Sequence, residues 1–148
     1  GYIDTDLEND KEKLFNFFDY GKILIEFLSW QNCRDMAEAG MTIGSHTVNH
    51  ARLAKLDEKE VAHELTTSKE MIENNVGQVC NHFCIPFGIP NRDYKVERDL
   101  KLVRASGYKS MLTTQRGATH MGASPYQLCR DHILANWCNY QLRYFLSL

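Results

Sequence analysis

The chain has 148 residues, of which 43% are hydrophobic and 24% are charged, and this balance excludes a disordered tail and predicts one domain over residues 1–148. Its 17 basic and 19 acidic residues give a formal net charge of −2, which excludes the strongly basic class of nucleic-acid-binding proteins. No apolar run reaches the roughly 18 residues of a membrane-spanning helix, so we expect no membrane span. Five irregularly spaced cysteines without a CxxC pair argue against a cysteine zinc site.

Segments with the apolar spacing of helices alternate with short apolar runs typical of strands. Gly40 and Gly77 follow two of the helical segments, and Asp57 with Glu60 forms a capping box before the longest one. The predicted helices are residues 14–28, 30–39, 57–76 and 96–106, and the predicted strands are residues 41–47, 79–87, 108–114 and 126–134. This alternation predicts an α/β fold around a parallel sheet, in which functional residues follow the ends of strands.

The first candidate site is a pair of histidines just past the end of the first predicted strand. His46 and His50 are four residues apart, so their imidazoles converge if the backbone turns helically between them. A neutral imidazole nitrogen binds zinc at about 2.0–2.1 Å. The alternative is that one histidine is a buried hydrogen-bonding residue and the other is exposed. The spacing alone leaves both interpretations open.

The second candidate site is the segment Phe83–Gly88, at the end of the next predicted strand. Pro86, an aromatic residue and a glycine in succession predict a sharp loop that exposes backbone N–H groups. Such a group can stabilise the oxyanion of an acyl-transfer reaction. The alternative is a strand terminator that packs one phenylalanine against the core.

Several motifs in this order resemble the polysaccharide deacetylase family, also called the NodB-homology group or carbohydrate esterase family four. Residues 36–50, which contain His46-Thr47-Val48-Asn49-His50, resemble its second conserved motif, and residues 83–88 resemble its third. Further similar segments are residues 64–69 (the helix after the second motif), 104–108 (a helix-to-strand step) and 126–130 (a later strand that often ends in an arginine). The resemblance extends from about Trp30 to Ile133.

The resemblance implies a distorted (β/α) barrel and a mononuclear metal site, usually zinc, held by an aspartate and two histidines. The metal activates a water that attacks the acetyl carbonyl of an N-acetylated or O-acetylated polysaccharide. Transferred residue by residue, these roles make His46 and His50 the metal ligands and make the Phe87 backbone N–H the oxyanion donor. Trp30 and Tyr126 receive no role and are expected in the core. The resemblance also implies a cell-envelope or extracellular location for the parent protein.

The sequence departs from the family pattern at three places. The adjacent aspartate pair of the first motif, which supplies the base and the third ligand, has no counterpart, and we interpret Asp4 and Asp6 as loop carboxylates. Cys84 stands where the family often carries an arginine that orients the base. His132 comes too early for the general-acid histidine of the last motif. We expect His63 and His120 on the surface and His82 on a strand.

From these departures we expect an incomplete barrel that lacks its first strand-helix unit, in an N-terminally truncated deacetylase domain with little or no activity. The absent strand would leave an open sheet edge, which favours self-association. A second interpretation is a non-catalytic module that keeps the fold and binds a glycan or a partner. A third is a structural α/β domain with incidental histidines.

Overall fold

The computed structural model describes residues 3–6, 9–10, 12, 27–131 and 138–146, and this part of the chain alternates helices with short strands. The elements are α1 (Trp30–Glu38), a 3-10 turn (Leu53–Lys55), α2 (Glu58–Val76), β1 (His82–Cys84), α3 (Val96–Ala105), β2 (Ser110–Leu112) and α4 (Asn139–Leu146). None of the described helices is long and apolar enough to cross a membrane. The helix predicted over residues 14–28 lies mostly outside the described residues.

Helix α2 begins and ends where local sequence signals predict. The Asp57 carboxylate accepts a hydrogen bond from the Glu60 N–H at 2.8 Å, and the Glu60 carboxylate accepts one from the Asp57 N–H at 2.8 Å. Gly77 follows the last helical residue with φ +77°, in the left-handed region that favours glycine. The predicted capping box and the predicted C-terminal glycine are therefore confirmed.

Parallel pairing joins the strands in the order of the chain. β1 pairs with β2 in the register His82–Ser110, Phe83–Met111 and Cys84–Leu112. Single parallel bridges add Ser45 beside Phe83 and Leu128 beside Leu112. The predicted α/β class with parallel strands is thus confirmed.

The strands are much shorter than predicted. β1 ends at Cys84 because Pro86 has no N–H to donate and Phe87 has φ +63°, which no regular strand accommodates. Met41 is 57% exposed and Val79 is 69% exposed, so the beginnings of two predicted strands lie outside the core. The last predicted strand contributes only the bridge at Leu128, and its residues 132–134 lie outside the described residues.

The core fills the space between the strands and α2 and holds the strand ends in place. Phe83, Leu65 and Val103 are fully buried, and the Phe83 and Tyr108 ring centroids are 5.4 Å apart. The Tyr108 hydroxyl donates to the Leu65 carbonyl at 2.9 Å, so the buried hydroxyl is satisfied. Trp30 and Tyr126 are partly buried against this core, as expected.

Candidate functional site

The backbone of β1 orients His46. The Ser45 N–H donates to the His82 carbonyl at 2.8 Å, and the Ser45 carbonyl accepts from the Cys84 N–H at 2.8 Å. The His46 Nδ1 atom lies 2.6 Å from the Cys84 carbonyl oxygen. Because a carbonyl only accepts, Nδ1 carries the proton, and the lone pair of a neutral ring is on Nε2. A metal-binding histidine is commonly held in this way.

A left-handed turn brings His50 beside His46. Thr47 has φ +67° and His50 has φ +52°. The chain between the two histidines therefore does not form the helical turn that their four-residue spacing suggested. Their ring centroids are 4.9 Å apart with an interplanar angle of 64°. Two imidazoles that share a tetrahedral zinc at about 2.0–2.1 Å have centroids roughly 5 Å apart. The structure therefore brings the predicted pair to a separation compatible with one shared ion.

Glu64 on α2 supports this turn and was not identified from the sequence. Its carboxylate accepts from the Val48 N–H at 2.8 Å, the Asn49 N–H at 3.0 Å and the Asn49 side-chain amide at 2.6 Å. The residue is only 6% exposed. The sequence does carry a signal for this role, because the helical spacing puts Glu64 on the same buried face as Leu65 and Ser68. A buried carboxylate requires hydrogen-bond donors around it.

Burial keeps both histidines in the form that binds metal. It lowers the pKa of His46 below the ordinary value of 6.5, with the Arg130 charge acting in the same direction and the Cys84 hydrogen bond opposing it. Burial also lowers the pKa of His50, and repulsion from His46 adds to this. Both imidazoles are therefore mostly neutral at pH 7, as metal ligation requires.

The Phe87 loop lies next to the histidine pair. Phe87 and Gly88 have φ +63° and +81°, and the Thr114 hydroxyl donates to the Phe87 carbonyl at 2.7 Å. The Phe87 ring is edge-on to His50 with centroids 4.9 Å apart, and Arg52 Cζ lies over the Phe87 ring, 4.2 Å from its centroid. Within the described part of the chain, no acceptor takes the Phe87 N–H.

We expect Gly88→Ala to destabilise the protein by about 2–3 kcal/mol, because the new Cβ is in the left-handed region and meets the Thr114 backbone. A Cβ built at Gly88 lies 2.8 Å from Thr114 N, whereas one built at Gly77, with φ +77°, meets nothing within 4 Å. Gly77→Ala is the matched control and should cost about 1 kcal/mol. Urea denaturation measures both variants, and equal losses would contradict the close approach at Gly88.

Within the described residues, the two histidines stand without a third candidate metal ligand. No group of three or more histidine, cysteine, aspartate or glutamate side chains placed to hold a metal occurs among them. The Asp4 carboxylate accepts from the Trp30 N–H at 3.0 Å, and that of Asp6 accepts from the Asn9 N–H at 2.7 Å, so both are loop carboxylates. The pair of neutral imidazoles fits two positions of a zinc site, whereas catalytic zinc usually has three protein ligands.

The other histidines and the cysteine named in the sequence analysis lie away from this pair or contact it indirectly. His63 and His120 are exposed, as expected. His82 is on β1, where its Nδ1 lies 2.8 Å from the Ser110 hydroxyl. Arg130 Nη1 donates to Cys84 Sγ at 2.7 Å. His132 lies outside the described residues.

Comparison with known proteins identifies the family. A model of the polysaccharide deacetylase family matches residues 7–109, a range that includes both histidines and Phe87. The chain belongs to the polysaccharide deacetylase family. YxkH of Bacillus subtilis strain 168, whose name assigns it to these deacetylases, is 30% identical over 106 residues, which are 72% of this chain and 36% of YxkH.

Solved structures share the fold of this family member. The Streptococcus pyogenes deacetylase PplD aligns with a TM-score of 0.71 and 23% identity over 89% of this chain and 55% of that chain. The Bacillus cereus polysaccharide deacetylase BC0361 aligns with a TM-score of 0.69 and 22% identity over 82% of this chain and 37% of that one. The chain therefore spans between about a third and just over half of these relatives.

Proposed function

We propose that this chain carries part of the active site of a metal-dependent hydrolase that removes acetyl groups from an N-acetylated or O-acetylated polysaccharide. The enzyme would act on carbon–nitrogen bonds other than peptide bonds. The observation that carries the proposal is the hydrogen bond from His46 Nδ1 to the Cys84 carbonyl, with the His50 ring 4.9 Å away. PplD was solved with acetate, the product that such a reaction releases.

In this proposal His46 and His50 bind a divalent ion, zinc, through neutral ring nitrogens. The ion, when bound, supplies a Lewis acid that polarises the acetyl carbonyl and lowers the pKa of a water. The Phe87 N–H donates to the oxygen that becomes negative as the carbonyl is attacked. The proximity of the partly exposed Phe87 ring to His50, with ring centroids 4.9 Å apart, supports this role.

We further propose that this chain alone turns over acetylated glycans weakly or not at all. Two ligands hold zinc less tightly than the usual three. A reaction without a positioned base loses about 10²- to 10⁴-fold in rate. Among the described residues, no carboxylate joins His46 and His50 to act as that base or third ligand. The incomplete (β/α) barrel remains our prediction for the architecture of the domain.

The second candidate function is a non-catalytic module that binds a glycan or a partner protein. Two observations favour this function. Only two candidate metal ligands lie together among the described residues, and Cys84 stands at the motif position that often carries an arginine. The two candidates differ in one measurable property, because only the hydrolase accelerates ester or amide cleavage when zinc is added.

Hydrolysis of p-nitrophenyl acetate, with and without zinc, separates the two functions. This activated ester needs little help from a base, so the hydrolase predicts a small zinc-dependent acceleration that His50→Ala abolishes. His63→Ala, on an exposed part of α2, is the control and should keep it. Acetate release from acetylated glucosamine oligomers should stay near background. Zinc-independent rates that are equal in all three proteins would refute the hydrolase assignment.

We also propose self-association through the sheet edge. The outer positions of the described sheet, Ser45 and Leu128, are joined to it by single bridges rather than by full strands. Unpaired strand edges favour pairing with another copy. Light scattering at high protein concentration should give a dimer or a larger species, and a monomer would contradict the proposal.

A further inference from the structure

A buried carboxylate joins the Phe87 loop to the chain that follows His50. Asp93 is fully buried, and its Oδ2 accepts a hydrogen bond at 2.9 Å from the N–H of Ile89, two residues after Phe87. Its Oδ1 accepts from Nη1 of Arg52, which lies two residues after His50 and 41 residues before Asp93 in the chain. The proposed reaction gives no role to either member of this ion pair.

Backbone hydrogen bonds hold Asp93 in place as well. Its N–H donates to the Ile89 carbonyl at 2.9 Å, and its carbonyl accepts from the Ala54 N–H at 2.9 Å. Burial would raise the pKa of this carboxyl, but hydrogen bonds from Arg92 and the Ile89 N–H, with the charge of Arg52, hold the pKa below its ordinary value of 3.8. The side chain is therefore ionised at neutral pH, and a buried charge of this kind requires fixed partners.

Arg52 connects the carboxylate to the ring of Phe87. The guanidinium carbon Cζ lies 4.2 Å from the ring centroid, and a planar guanidinium over an aromatic face is attracted to it. The same ring is edge-on to His50, with centroids 4.9 Å apart. Asp93 thus reaches the Phe87 loop by two routes, through the backbone at Ile89 and through the guanidinium on the ring.

The histidine pair has supports of its own. His46 Nδ1 lies 2.6 Å from the Cys84 carbonyl oxygen, and Glu64 accepts from the backbone of the turn that leads to His50. None of these contacts involves Asp93. Loss of the Asp93 charge should therefore move the Phe87 loop and leave the pair in place.

We propose that Asp93 is a positioning residue, which holds the Phe87 loop against the histidine pair through the Ile89 N–H and the Arg52 guanidinium. The inference rests on the proposed function where it gives the Phe87 N–H to the developing oxyanion. Loss of one such donor costs about 10²- to 10³-fold in rate, so displacement of the loop should cost about tenfold. Asp93 acts on the reaction through Phe87 and does not contact the substrate.

NMR of the whole zinc-free chain tests the positioning without any activity. A ring current shifts the resonances of nearby protons, so the His50 ring protons report where the Phe87 ring lies. Phe87→Leu gives the His50 chemical shifts without that ring. Asp93→Asn should move the His50 shifts from the wild-type values toward those of Phe87→Leu. A folded Asp93→Asn variant with wild-type His50 shifts would overturn the proposal.

Asp99→Asn is the matched control for this variant. Asp99 is also fully buried, and it accepts from an arginine at 2.6 Å and from a backbone N–H at 2.7 Å at the start of α3. Its loss removes the same kind of buried charge, but its printed partners do not include the Phe87 loop. The His50 shifts should stay at their wild-type values in Asp99→Asn, and an equal change in both variants would refute a specific role for Asp93.

Zinc-dependent hydrolysis of p-nitrophenyl acetate tests the consequence for the reaction. Asp93→Asn should lower kcat about tenfold and leave KM and the zinc affinity unchanged, whereas Asp99→Asn should leave all three unchanged. Equal losses of kcat and zinc affinity in Asp93→Asn would contradict the proposal, because they indicate general damage to the fold. If the wild type shows no zinc-dependent rate, the proposed function fails, and the His50 shifts alone decide whether Asp93 positions the loop.

Variants of Arg52 keep the proposal falsifiable if Asp93→Asn does not fold. Arg52→Gln leaves the Ile89 hydrogen bond to Asp93 but removes the guanidinium from the Phe87 ring, and the Arg52 side chain is 31% exposed, so the fold should tolerate it. It should move the His50 shifts in the same direction by a smaller amount. Arg52→Lys, which keeps the charge, should recover part of the difference. Wild-type His50 shifts in a folded Arg52→Gln variant would refute the assignment.

Discussion

Replacing His46 with alanine is expected to abolish the binding of one zinc ion per chain under conditions in which the wild type retains it. His46 is held in the orientation of a ligand, because its Nδ1 lies 2.6 Å from the Cys84 carbonyl oxygen. Loss of a residue that only hydrogen-bonds to a metal ligand weakens metal affinity by about 10–100-fold, so loss of a ligand itself should weaken it further. Zinc titration by calorimetry, with metal content measured after dialysis, gives the affinity and the stoichiometry.

His63→Ala is the control for this variant. His63 is an exposed histidine on α2, so its loss removes an imidazole without touching the pair. The zinc affinity of His63→Ala should equal that of the wild type. Equal zinc content in the wild type and in His46→Ala would contradict the proposed ligand pair.

Replacing Glu64 with leucine is expected to lower the free energy of unfolding by about 3 kcal/mol. The carboxylate accepts hydrogen bonds from the backbone N–H groups of Val48 and Asn49 and from the Asn49 amide. Leucine has a similar volume but accepts none, so these donors lose their partner at a site where the glutamate is only 6% exposed. Urea denaturation without metal measures the change.

Glu70→Leu is the matched control, because Glu70 is exposed on the same helix. Its effect should stay within about 0.5 kcal/mol, as is usual for surface positions. Glu64→Leu should also weaken zinc binding, since the turn that it supports carries His50. An unfolding free energy of Glu64→Leu equal to that of Glu70→Leu would show that the turn does not depend on the carboxylate.

Helix α2 was predicted well because each of its boundaries is determined by interactions between residues that are close together in the sequence. The capping box at Asp57 and the left-handed glycine after Val76 act through neighbours in the sequence. The strands were predicted too long because their limits depend on which backbone finds a partner. Apolar composition marks residues 79–87 as one run, but Pro86 and the positive φ of Phe87 end the pairing at Cys84.

The histidine pair was predictable from spacing, but what holds it was not. His46 Nδ1 donates its hydrogen bond to the Cys84 carbonyl, 38 residues away, and the support for the turn comes from Glu64. The left-handed turn replaces the helical one that the spacing suggested, since Thr47 has φ +67°. These contacts depend on how α2 and β1 pack, and this packing cannot be predicted from patterns of neighbouring residues in the sequence.

X-ray absorption at the zinc edge of the zinc-loaded chain tests the shared metal site most directly. We expect a first shell with two histidine nitrogens at about 2.0–2.1 Å, completed by oxygen ligands. Both imidazole contributions should disappear in the double variant His46→Ala/His50→Ala. A shell containing thiolate sulfur at about 2.3 Å, or one that the double variant leaves unchanged, would contradict the account.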